Sequence, residues 1–203
     1  MKRDLNLWAT LSLLTAAALT LLSLFLPWWA MKFYAPQYPE GLNIVVYPSR
    51  LAGDIEIVNG LNHYIGMAPF SEASFPELKV LPVVVVALAL LMAAAGALRR
   101  RVLAWTTLGL FAVVGVGGLW DMARWLRKFG TELDPQAPIK LDPFVPPILG
   151  KNAIANFTTF STFQVGALAL LLAGALLVLA LTLRDRPARA AARTAPAPEV
   201  SAA

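Results

Sequence analysis

Apolar residues run along this chain in four long blocks, separated by two mixed stretches and one short basic turn. The first block goes from Leu5 to about Met31 without a charge, interrupted only by Asn6, Thr10, Ser12, Thr15, Thr20 and Ser23. About 20 consecutive apolar residues let a helix cross a hydrocarbon core about 30 Å thick. The pattern predicts four transmembrane helices: one in 1–31, which also holds the N-terminal tail, then 78–98, 102–123 and 163–183. The triple arginine at 99–101 marks a tight hairpin between the second and third spans. Segments 32–77 and 124–162 are then long loops on the opposite side. Residues 184–203, rich in Ala, Pro and Arg, read as a disordered cytoplasmic tail, with too little apolar surface to offset the entropy of ordering.

A secretory signal has an apolar region of about 7 to 15 residues followed by a small-x-small cleavage site. Here the run is longer and ends in Leu26-Pro27-Trp28-Trp29, so it is read as a retained anchor. Trp28 and Trp29, and likewise Trp120 and Trp125, are read as membrane anchors at headgroup level. In the second span Ala93-Ala94-Ala95-Gly96, and in the third Gly109, Ala112, Gly115, Gly117 and Gly118, are expected to be packing surfaces between spans.

The first loop predicts a small folded element. Leu42 to Tyr47 and Ile55 to Val58 are rich in β-branched residues, and Pro48 to Asp54 has the composition of a turn, so a β-hairpin is expected there. In the second loop, Asp121 precedes Arg124 by three residues, which favours an ion pair on one helical face over a functional acid. Prolines 135, 138, 143, 146 and 147 predict an extended strap across the outer face. Phe157, Phe160 and Phe163, at intervals of three, predict an amphipathic helix over 152–163 lying in the interface.

Composition narrows the chemistry. Of 203 residues 58% are hydrophobic and 14% charged, with a mean hydropathy of +0.65, which excludes an ordinary water-soluble globule. No cysteine and a single histidine exclude a disulfide framework, a thiolate nucleophile, an iron–sulfur site and a Cys/His zinc site. Lys2, Arg3, Arg99, Arg100, Arg101, Arg184, Arg186, Arg189 and Arg193 are nine bases on one side, with three acids, Asp4, Asp185 and Glu199, for a net +6. The other side holds eight bases and nine acids, a net −1, and the two sides give the chain's +5. By the positive-inside rule both termini and the arginine hairpin are cytoplasmic. The high pI thus reflects topology and contact with anionic membrane lipid, with no nucleic-acid partner expected.

Gly60 to Met67 puts the only histidine, His63, four residues before Met67, on one face if the stretch is helical. Imidazole and thioether suit a soft ion such as Cu(I), with Met31 and Met122 as further sulfur donors if the fold gathers them. The plainer reading is preferred: His63 hydrogen-bonds a nearby loop and Met67 packs into the interface. No nucleophile–base pair, glycine-rich phosphate loop or intramembrane acid series is present in the sequence, so no enzyme is expected.

Tyr38-Pro39-Glu40-Gly41-Leu42, Leu61-Asn62-His63-Tyr64-Ile65-Gly66-Met67, Asp134 to Lys140, Pro143-Phe144, Pro146-Pro147 and Asn156-Phe157 form a set of strings confined to the outer loops. In them the chain resembles small four-span bacterial membrane proteins associated with nitrous oxide reductase gene clusters, the NosB-like proteins. The resemblance covers both loops and leaves the spans generic. It implies an accessory role in maturing, anchoring or supplying a copper enzyme outside the cytoplasmic membrane, with possible copper contact and no catalytic residues carried over. Asn62, Tyr64, Asp134, Pro138, Phe144 and Asn156 are then the candidates for docking a partner, and His63 and Met67 for metal.

The expected molecule is therefore an all-α, multi-pass protein of the bacterial inner membrane, with four spans and a small extracytoplasmic cap that contains a β-hairpin. Its expected role is a non-catalytic accessory protein that docks an extracytoplasmic or membrane protein. One alternative is a metal or small-molecule conduit using His63, Met67 and Asp121; another is a quinone-contacting subunit of a respiratory complex.

Overall fold

In a computed structural model of the chain, the structure describes residues 5–154 and 157–183. The molecule is mostly helical, with four helices long and apolar enough to cross a membrane. These are α1 (Leu7–Leu22, continued by a 3-10 turn to Phe25), α3 (Glu77–Ala97), α4 (Arg101–Thr131) and α5 (Val165–Thr182). A fifth, shorter helix, α2 (Ile55–Ile65), and a five-stranded antiparallel sheet complete the fold. The strands are β1 (Trp29–Ala35), β2 (Tyr38–Val46), β3 (Leu51–Gly53), β4 (Gly150–Ile154) and β5 (Phe157–Phe163), in the order β3-β2-β1-β5-β4.

Helix α1 is central to the bundle. Its Ala9, Leu13, Ala16 and Ala17 are buried with Met92 and Ala95 of α3 and Ala173, Leu177 and Ala180 of α5. Small side chains let these backbones approach closely. Gly96 lies where a Cβ would sit 3.3 Å from the Thr10 carbonyl oxygen and 3.2 Å from Leu13 Cβ. The small residues of α3 thus do pack between helices. Those of α4 do not: Gly109, Gly115, Gly117 and Gly118 have no heavy atom within 4 Å of a built Cβ, and Ala112 is exposed. Instead Phe111 fills the contact with α5, against Gly174. Helix α4 is peripheral, and its wide glycine face has no partner among the described residues.

Four expectations change. The expected hairpin on Leu42 to Tyr47 forms, but its second strand is the short β3 at Leu51–Gly53 and not 55–58, and β2 also makes a longer hairpin with β1, closed by Pro36-Gln37 and starting at Trp29, soon after α1. The start of β1 was masked because Trp29 and Met31 read as the tail of an apolar block. The segment 55–58 is helix. Gly53, at φ +97°, turns the chain, and Asp54 bonds back across the ladder, its amide donating to the Asn43 carbonyl at 2.7 Å and its Oδ2 accepting from the Asn43 amide at 2.8 Å. Ile55, Val58 and Asn62 then face inward at helical spacing, and burial outweighs β-branched propensity.

The third helix does not stop at 123 but runs 31 residues to Thr131, about 46 Å at 1.5 Å per residue. Arg124 is neutralised locally, and no breaker intervenes before its last turn. Finally, 152–163 is not an interfacial helix. Phe157 to Phe163 alternates instead, with Thr159 and Ser161 buried and Phe160 exposed. Three threonines favour extended backbone, and both flanking strands pair with it: Lys32 and Lys151 each stand opposite Phe160.

The pairing of β1 with β5 joins the chain leaving α1 to the chain entering α5. At that junction the Gln164 amide donates to the Trp28 carbonyl at 3.0 Å and the Gly166 amide to the Pro27 carbonyl at 2.8 Å. Both inter-helix segments, 32–77 and 124–162, are therefore knitted into one cap. The proline strap crosses it as expected, held by the Phe144 amide on the Gly130 carbonyl at 2.9 Å and the Trp29 indole on the Ile148 carbonyl at 2.7 Å. The tail at 184–203 and Asn156 lie outside the described residues.

Candidate functional site

One face of the sheet is covered by α2, the last turns of α4 and the strap, and the packing there is incomplete. A cavity of about 40 Å³ remains, room for about three waters at roughly 10–15 Å³ each. Strands β1 and β5 contribute Met31, Phe33, Phe157 and Thr159; α2 contributes Val58, Leu61, Asn62 and Ile65. Met67 and Phe70 follow α2, Leu126 and Phe129 come from α4, and Phe144 and Pro146 from the strap.

Two polar side chains interrupt this apolar wall, and neither is satisfied. Asn62 is 2% exposed and its Nδ2 has no hydrogen-bond partner; Thr159 is 1% exposed and its Oγ1 has none. A buried unpaired donor costs about 1–3 kcal/mol. Asn59, one turn earlier on the same helix, shows what a structural asparagine does here. Its Nδ2 donates to the Phe70 carbonyl at 2.8 Å and its Oδ1 accepts from the Phe70 amide at 2.7 Å. Asn59 closes a loop, whereas Asn62 is held against a cavity with its donor unused.

The structure does not bring His63 and Met67 together. His63 is exposed, one residue round the helix from buried Asn62, with its ring 6.1 Å from that of Tyr64. Helix α2 ends at Ile65, Gly66 turns left-handed at φ +78°, and Met67 folds under the helix, 7% exposed. The shared-face expectation fails because the helix stops before Met67. Met67 instead lines the cavity with Met31, while neither Met122 nor His63 does. Among the described residues there is no cluster of three or more His, Asp or Glu side chains placed to hold a metal ion.

The docking candidates separate by depth. Asn62 is buried and Phe144 half-buried, both at the cavity, whereas Tyr64, Asp134 and Pro138 are exposed. The three exposed residues meet at one seam. The Asp134 amide donates to the Gly66 carbonyl at 2.8 Å and the Ile139 amide to the Tyr64 carbonyl at 2.9 Å. With Ile139 48% exposed and Tyr64 56% exposed, the seam is an aromatic and aliphatic surface on rigid backbone.

A second polar group sits where α3 and α4 enter the cap. Arg124 pairs with Asp121 at 2.6 Å and with Glu77 at 2.9 Å, and stacks over the Trp125 ring at 4.5 Å. The Asp121–Arg124 pair agrees with the spacing. Glu77 was not legible as its partner: it is 47 residues away, and only its place at the start of a span hinted at a role. Its Oε1 also accepts from the Trp125 indole at 3.2 Å. Trp125, half-buried, packs on Phe75 and Phe129, and Trp29, 5% exposed, is buried in the cap. Trp28, half-buried, donates its indole N–H to the Ser23 carbonyl at 3.0 Å, and Trp120 is 68% exposed.

Compared with known proteins, the chain matches no family model, no curated protein and no solved structure. Its functional reading rests on its own residues and geometry.

Proposed function

We propose that this protein is a non-catalytic, multi-pass accessory protein of the bacterial inner membrane whose cap docks an extracytoplasmic or membrane protein partner. Four apolar helices and the charge asymmetry of the sequence support a four-span insertion with both termini cytoplasmic and the cap outside. The observation that carries the docking role is the seam between α2 and the strap. Tyr64, Pro138 and Ile139 are exposed there on backbone fixed by two inter-segment hydrogen bonds. A preorganised aromatic and aliphatic patch loses little entropy on association, which is what an interface core requires. The resemblance to NosB-like proteins makes the maturation of a copper enzyme the setting to examine first.

The conduit alternative needs His63, Met67 and Asp121 along one path, and their separation among the α2 surface, the cap interior and the α4 ion pair gives it no support. The quinone alternative relied on a stripe of three phenylalanines, which β5 splits between two sheet faces.

The test is site-specific photocross-linking in native membranes. A photoreactive residue at Tyr64 or at Ile139 is expected to give the same protein adduct, which Pro138→Asp abolishes. The same residue at Lys151, on the sheet edge, should give none. Adducts equal at all three positions, or none at the seam, would contradict docking there.

A further inference from the structure

A void persists in a core only where its surroundings do not relax into it, and the wall of the cap cavity is pinned by hydrogen bonds at three places. Both ends of the Asn59 side-chain amide hold the Phe70 backbone, at 2.7 and 2.8 Å. The Met67 amide donates to the Asn62 carbonyl at 2.9 Å, and the Phe144 amide to the Gly130 carbonyl at 2.9 Å. Gly130 leaves no room for a Cβ beside the Phe144 carbonyl, so the strap already lies as close to α4 as it can. The rings of Phe70 and Phe129 brace each other with centroids 4.6 Å apart. The space is therefore built into the cap and is not slack that a rotamer change would close.

The same wall offers nothing to water. Twelve of its fourteen residues are apolar and none is charged, and the Asn62 Nδ2 and Thr159 Oγ1 are sealed within the surrounding protein and not presented to the space. A buried water typically makes about three hydrogen bonds to protein groups, and an apolar cavity without them stays dry and takes apolar guests. Met31 and Met67 add polarizable thioethers that adapt to a guest's shape. We propose that the cavity is a binding site for a small, neutral, apolar molecule of about three heavy atoms, the class of dissolved gases and short hydrocarbons, held by dispersion. A polar molecule of that size is rejected, because its hydroxyl or carbonyl would be buried without a partner. The site lies inside the cap and does not depend on what docks at the seam.

Methionine methyl groups make the site directly observable. The full chain, labelled with carbon-13 at its five methionine methyls and held in lipid nanodiscs, is equilibrated with propane and separately with ethanol, which has the same number of heavy atoms and one hydroxyl. Met31 and Met67 line the cavity, and Met92, fully buried in the helix bundle, reports propane dissolved in the bilayer and the integrity of the fold. The expected result is Met31 and Met67 shifts that saturate with propane pressure, only a linear drift at Met92, and no saturable shift with ethanol. Leu61→Phe should fill the space from α2 and lower propane affinity by about tenfold or more. Leu126→Phe fills it from α4 and replaces Leu61→Phe if that variant displaces the Met92 signal. Shifts that never saturate, ethanol binding as tightly as propane, or propane affinity unchanged in a folded variant would overturn the proposal.

Discussion

Gly66 and Gly130 show how much of the cap depends on single positions. Gly66 needs a left-handed backbone, and a Cβ there would sit 2.8 Å from the Asp134 amide nitrogen and 2.9 Å from Ala137 Cβ. Gly66→Ala is therefore expected to destabilise the cap by about 2–3 kcal/mol, combining conformational strain and overpacking; limited proteolysis of the strap should accelerate accordingly. Asn62→Leu should act in the other direction. Removing a buried unpaired donor removes its desolvation cost of about 1–3 kcal/mol, so thermal unfolding should move upward, and an unchanged or lowered midpoint would mean that the amide is satisfied in the folded protein. Glu77→Gln should cost about 1 kcal/mol or less, because the Arg124–Glu77 side chains are 39% and 31% exposed and solvent screens the pair. None of the orphaned groups was legible in the sequence. The string around Asn62 drew attention to His63, the chemically loud residue, while burial selected its quiet neighbour.

At the scale of elements, the four membrane-length helices and the proline strap were readable from apolar runs and proline spacing, because both depend on local composition. Of the strands, β2 was readable at Leu42 to Tyr47, whereas β1, β4 and β5 were not, because their pairing joins segments far apart in sequence. Phe157, Phe160 and Phe163 carry a period of three that suggests a helix, yet β1, more than 120 positions earlier, supplies a ladder that places Phe160 opposite Lys32. Ile55 to Val58 has strand composition, yet the positions that pack against β2, Ile55 and Val58, lie at helical spacing. Phe160→Pro tests this account of β5. It removes a ladder donor from a strand paired on both sides, and proline belongs at sheet edges. Hydrogen exchange should rise across β1, β4 and β5 while α1, α3 and α5 stay protected. On α4 the expectation is the reverse: Gly117→Leu, with nothing within 4 Å of an added side chain's first carbon and a better helix former in place of glycine, should not lower thermal stability.

For the whole molecule, the organising feature is that chemistry is concentrated in one place. The bundle is held by alanine, leucine and glycine contacts around α1, a generic way to pack apolar helices. The segments 32–77 and 124–162, separated by two helices in sequence, share one sheet, one cavity and one seam. A cap of that kind serves a docking role only if it faces away from the cytoplasm, where the charge distribution of the sequence would place it. The cysteine-free chain makes the decisive measurement a clean one: Tyr64→Cys on the cap and Arg100→Cys in the basic hairpin, each as the only thiol, exposed in intact cells to a maleimide that cannot cross the inner membrane. Labelling of Tyr64→Cys at once, and of Arg100→Cys only after the membrane is permeabilised, is the predicted result. Labelling of Arg100→Cys in intact cells while Tyr64→Cys stays protected would place the cap in the cytoplasm and contradict the proposed function.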